Sequence, residues 1–77
     1  MNKERRAQID KIKEKLKELR DEVSELADIE QECFDNMPEG LQYSERGERV
    51  EEAVYQLSEA VTALEEAAEY LENAQEA

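Results

Sequence analysis

Histidine and tryptophan are missing from these 77 residues, cysteine and proline occur once each, and glycine occurs twice. Each shortage closes off a class of function. Without histidine there is no Ser-His-Asp triad, no Glu-x-x-His di-iron bundle and no His/Cys zinc site. The single thiol, Cys33, cannot form an internal disulfide and fits a reducing compartment. No apolar run approaches the ~20 residues needed to span a bilayer. The basic N-terminus is not followed by the apolar stretch of a signal peptide, so the expected location is the cytoplasm. Gly-rich phosphate loops and EF-hand spacing are also missing. The expectation is a protein that is not an enzyme, with no catalytic residue, no cofactor, no metal and no membrane partner.

What is abundant is charge. Charged residues make up 42% of the chain and aromatics only 5%. Twenty-two acids against ten Lys/Arg give a net charge of −12. Residues 1–20 carry eight Lys/Arg and four acids, a net of +4, whereas residues 21–77 carry two Arg and eighteen acids, a net of −16. An acidic surface of this kind repels nucleic acid and anionic membranes and is compatible with a basic partner protein.

The charges are arranged on helices. From Val50 onward the chain reads VEEAVYQ, LSEAVTA, LEEAAEY, LENAQEA. The first position of each block is Val50, Leu57, Leu64 or Leu71; the fourth is Ala53, Ala60, Ala67 or Ala74; the fifth is Val54, Val61, Ala68 or Gln75. The first and fifth positions form an a/d seam. The alanine column beside it widens the face to three positions in seven and lets a neighbouring backbone approach closely. Upstream, Ile9, Ile12, Leu16, Leu19, Val23 and Leu26 alternate in steps of three and four, a second seam that continues through Glu30, Cys33 and Met37. Cys33 reads as a packing residue. Ile29 and Phe34 flank this seam, so its face broadens or rotates toward the end. Glu30 breaks the apolar rule and is expected to snorkel or to pair with Arg46 or Arg49.

The segment Asn36-Met-Pro-Glu-Gly40 separates the two seams. Proline disfavours helical geometry at Met37, Asn36 is suited to a left-handed C-cap, and Gly40 adds a second permissive point. Leu41 and Tyr43 are expected to plug the bend, with Ser44 as N-cap of the next helix. The spacing therefore predicts one domain: a helix over about 2–35, a bend over 36–43 and a helix over about 44–76. Each helix would be about 50 Å long at 1.5 Å per residue. Matched lengths and a short connection imply an antiparallel hairpin. That direction also sets Lys11, Lys13, Lys15, Lys17 and Arg20 beside Glu59, Glu65, Glu66, Glu69 and Glu72. Both runs are unfavourable for their own helix dipoles, and antiparallel pairing offsets the misplacement.

A bare hairpin leaves each seam half wet, and scaffolds of this size usually oligomerise. The fold class expected is all-α, a hairpin that dimerises into a four-helix bundle. The expected oligomer interface is Ala53, Leu57, Ala60, Val61, Leu64, Ala67 and Leu71.

One stretch is not explained by heptad packing: Tyr43, Ser44, Arg46, Gly47 and Arg49 at the entrance to the second helix. A glycine in a first helical turn costs about 1 kcal/mol relative to alanine. With the free N–H groups of a helix start and two arginines, the stretch could hold a phosphate or carboxylate. Gly47 could instead admit a second backbone, or relieve crowding while Arg46 and Arg49 pair with Glu30, Glu32 or Asp35. These alternatives are open at the level of sequence.

The bend, Phe34-Asp-Asn-Met-Pro-Glu-Gly-Leu-Gln-Tyr-Ser-Glu-Arg-Gly-Glu48, together with the heptads that follow, resembles a group of small acidic proteins encoded in bacteriophages and prophages of Gram-positive bacteria. There the bend commonly reads Asp-Asn-Leu-Pro-Glu-Ser-Leu-Gln followed by Ser-Glu-Arg-Gly-Glu. The resemblance covers roughly residues 20–75, with Met37 and Gly40 as mild departures. It implies a phage origin, a bacterial host and a hairpin shape, and it carries no catalytic residues.

Three functions compete at this stage. The first is an oligomeric helical protein acting through protein–protein interaction. The second is an acidic mimic of nucleic acid that occupies a basic host protein. The third is an anion- or nucleotide-binding oligomer using the start of the second helix. Direct nucleic-acid binding through residues 3–20 ranks last, because that basic run has no interleaved aromatics.

Overall fold

The computed structural model describes residues Met1–Ala77. It contains α1 (Lys3–Asp35), a four-residue helix α2 (Glu39–Gln42) and α3 (Glu45–Glu76), with no strand. The helix ends follow local chemistry. Asn2 caps α1, its side chain accepting from the Arg5 N–H at 2.8 Å. Ser44 caps α3, its hydroxyl accepting from the Gly47 N–H at 3.4 Å. Each bond satisfies one donor that a helix start leaves free.

α1 and α3 pack along their length as an antiparallel pair, forming a rod of 58 × 16 × 12 Å. The radius of gyration is 17.4 Å, against about 11 Å for a compact domain of this length. Ile9, Ala27 and Gly47 are the three buried residues. The antiparallel direction agrees with the charge pattern: Lys13, Lys17 and Arg20 line one groove with Glu65, Glu69 and Glu72.

The bend is built differently from the expectation. Asn36 adopts right-handed geometry (φ −86°, ψ −5°), and no residue has a positive φ. The reversal comes instead from two extended residues, Pro38 (φ −56°, ψ 145°) and Ser44 (φ −84°, ψ 170°), with one turn of helix between them. Proline supplies the extended geometry directly, so a left-handed cap is unnecessary. Leu41 and Tyr43 do not plug the bend; both are exposed, Tyr43 at 78%. Met37 and Gln42 are the half-buried members of the bend, and the Gln42 amide donates to the Phe34 carbonyl at 3.0 Å. It thereby satisfies one of the carbonyls left free at the end of α1.

The seam on α1 is rotated by one residue. The buried and half-buried positions are Ile9, Lys13, Leu16, Arg20, Val23, Ser24, Ala27, Glu30 and Phe34. The column Ile9, Leu16, Val23 and Glu30 is shared with the expected seam. Its second column is Lys13, Arg20, Ala27 and Phe34 rather than Ile12, Leu19, Leu26 and Cys33. Cys33 is exposed, which corrects its expected place in the core. The physical reason lies on α3, where all three expected columns are half-buried, the alanines included. Small alanines admit the slim side of α1, with Ala27 and Ser24. The aliphatic stems of Lys13 and Arg20 can lie along the same surface while their charged heads reach toward the acids of α3.

Candidate functional site

The entrance to α3 folds tightly on itself. A Cβ built on Gly47 would stand well inside 3.0 Å of the Gln42 and Leu41 carbonyl oxygens, a separation that real Cβ atoms essentially never show. Those carbonyls belong to the end of α2, so the first turn of α3 abuts another piece of backbone. Gly47 thus has a packing task, one of the alternatives its sequence position left open. Ser44 serves the same junction: its hydroxyl donates to the Leu41 carbonyl and its backbone carbonyl accepts from the Glu48 N–H at 3.0 Å. The flanking arginines do not reach α1. Arg49 pairs with Glu45 on its own helix at 2.6 Å, and Arg46 is exposed without an ion pair. The expected pairing of these arginines with Glu30, Glu32 or Asp35 is therefore corrected. Both point away because α3 begins with its glycine, not its arginines, against the bend.

A second polar arrangement closes the opposite, open end of the hairpin. The Gln75 amide nitrogen donates to the Arg6 carbonyl at 2.9 Å and to an Asp10 carboxylate oxygen at 2.6 Å. Its amide oxygen accepts from Lys13 Nζ at 2.8 Å. Gln75 occupies the heptad position held by Val54, Val61 and Ala68 in the earlier blocks, so a polar residue stands where the seam ends and both chain termini meet water. No signal in the sequence distinguishes this latch from a surface glutamine, since its partners lie more than sixty residues away. Gln75→Ala removes three bonds at a partly exposed site and is expected to cost about 1 kcal/mol. Amide hydrogen exchange should quicken at the ends of α1 and α3 and stay unchanged at the bend; uniform protection in the variant would show that the latch does not hold this end.

Between these ends, the groove on one side of the rod has a volume of about 550 Å³ and mixes Lys13, Lys17 and Arg20 with Asp10, Glu14, Glu65, Glu69 and Glu72. Its close ion pairs stay within α1: Lys13 with Asp10 at 3.8 Å and Arg20 with Asp21 at 2.9 Å. Charges of opposite sign face each other across the groove without an ion pair closing it. No group of three or more Cys, Asp or Glu is disposed to hold a metal ion. No helix is long and apolar enough to cross a membrane.

A line of exposed apolar residues runs along α1. Rotation of the seam leaves Ile12 (44%), Leu19 (48%), Leu26 (53%) and Ile29 (50%) exposed. Ile12, Leu19 and Leu26 recur at intervals of seven, and Cys33 continues the line. Together they make a straight stripe about 32 Å long, at 1.5 Å per residue. One exposed apolar side chain recurs every two turns along this line, about 10.5 Å apart at 1.5 Å per residue. By heptad spacing alone, Ile12, Leu19, Leu26 and Cys33 belong to the hairpin's own seam. The expected interface residues Ala53, Leu57, Ala60, Val61, Leu64, Ala67 and Leu71 are half-buried within the single chain, on the helix that packs against α1.

No protein-family model, no curated protein and no solved structure matches this chain.

Proposed function

We propose that this protein is a non-enzymatic helical hairpin that works as an oligomer, first of all a dimer forming a four-helix bundle, and acts through protein–protein interaction. The observation that carries this reading is the exposed heptad stripe Ile12, Leu19, Leu26 on α1. A rod with three buried residues of 77 has little core of its own, and ordering each residue costs about 1–2 kcal/mol. Covering an apolar stripe is the direct way for such a chain to gain stability. The resemblance of the bend to small acidic phage and prophage proteins supports a bacterial cytoplasm as the location under this reading.

Sedimentation equilibrium of the full chain tests it. The expected mass is twice the 9.0 kDa of one chain at micromolar concentration. A folded species of single-chain mass throughout that range would overturn the reading.

A further inference from the structure

The stripe on α1 has a specific shape and charge setting, and these select its occupant. The chain exposes 6029 Å², about 1,200 Å² more than the ~4,850 Å² expected of a compact monomer of its mass. A standard interface takes ~600–1,000 Å² from each partner. The surplus is therefore large enough for one stable contact. In helical projection the stripe lies roughly a quarter turn around α1 from the contact with α3. That is the angle at which a helix in a four-helix bundle meets its second neighbour.

Charge then decides direction. Within α1, residues 3–20 carry eight Lys/Arg and four acids, while residues 21–35 carry seven acids and no basic residue. One helix thus presents a basic half and an acidic half, with Leu19 near their junction. Beside the stripe, Lys15 and Glu22 occupy the same helical column as Ile29, and Lys11 and Glu25 the column next to it. Two copies of α1 running parallel would set basic half beside basic half and acidic half beside acidic half. Two copies running antiparallel about an axis near Leu19 would bring Lys15 to Glu22 and Lys11 to Glu25, each twice by symmetry. The same arrangement sets Ile12 of one chain against Leu26 of the other, both exposed in the hairpin.

We infer that the stripe Ile12–Leu19–Leu26–Ile29 is covered by the α1 of a second copy of this chain, antiparallel, with the two-fold axis passing near Leu19. This rests on the oligomeric reading above and moves the contact from the alanine-bearing face of α3 to α1.

Disulfide trapping tests the placement. In a Cys33→Ser background, Leu19→Cys places a thiol at the axis and should give a covalent dimer on mild oxidation. The wild-type chain should give none, because two Cys33 residues would stand about 42 Å apart along the helices. Cross-linking through Cys33, or none through Leu19→Cys, would overturn the antiparallel placement. Leu19→Glu with Leu26→Glu supplies a second readout. Both side chains are half exposed in the hairpin, so helicity should persist while dimerisation weakens at least about 100-fold, a consequence of burying carboxylates in an apolar contact. A dimer that resists both substitutions overturns this placement and leaves the oligomeric reading standing. A wild-type chain that sediments as a monomer overturns both.

Discussion

Gly47→Ala is expected to destabilise the hairpin by about 2–3 kcal/mol, the range of an overpacked site. Its melting temperature should fall by roughly 10–20 °C, given ~4–8 °C per kcal/mol for a domain of this size. The added methyl carbon would collide with two carbonyl oxygens, those of Leu41 and Gln42. Both are backbone atoms, so relief requires α2 to move away from α3. The better helix propensity of alanine, worth about 1 kcal/mol, offsets only part of this. Gly40→Ala is the matched control. Gly40 lies in α2 with open space where a methyl group would go, nothing standing within 4 Å, and it has no positive φ. Its replacement should raise stability by about 0.4–1 kcal/mol, by restricting the unfolded chain. Thermal melts followed by circular dichroism at one fixed protein concentration would compare the two. Shifts of the same sign, or no loss for Gly47→Ala, would refute the close approach at the bend.

Ile9→Ala should produce the second large loss, about 2–4 kcal/mol. Ile9 is 8% exposed, the most buried large side chain in the molecule. It sits at the open end of the rod, level with Gln75, whose amide holds Arg6 and Asp10. Truncation would leave that end with a polar latch and little beneath it. Ile9→Val, which keeps most of the volume, should lose about 0.5–1.5 kcal/mol. Urea unfolding would show the ordering, with Val between wild type and Ala. An alanine variant indistinguishable from wild type would mean that this end contributes nothing to the cooperative unit.

Much of the fold is readable from residue order because its determinants are short-range. Asn2 and Ser44 cap the helices where their side chains can reach the next turn. Pro38 marks the break between the long helices, and the opposed charge runs give their direction. The expected bounds, about 2–35 and 44–76, lie within one residue of α1 and α3. The detail of the bend was harder to read. Asn36 and Gly40 are residues that tolerate left-handed geometry, but tolerance is not requirement, and neither position uses it. The candidate site was partly legible. Gly47 stood out as a glycine in a first helical turn, yet its neighbours Leu41 and Gln42 approach it only because α2 forms between Pro38 and Ser44.

By itself, the sequence determined two long helices, their ends, their antiparallel direction and a wide alanine-bearing face on α3. Heptad spacing, capping residues and charge order act over a few residues and survive without knowledge of the partner. Only the tertiary structure decided which side of α1 meets that face. The columns Ile12–Leu19–Leu26–Cys33 and Lys13–Arg20–Ala27–Phe34 differ by a single residue step, about 100° around the helix. Hydrophobicity favours the first, whereas the close fit of Ala27, Ser24 and the lysine and arginine stems against alanines favours the second. That fit depends on two surfaces at once, so no local pattern records it. Its consequence is the apolar stripe left on the outside of α1.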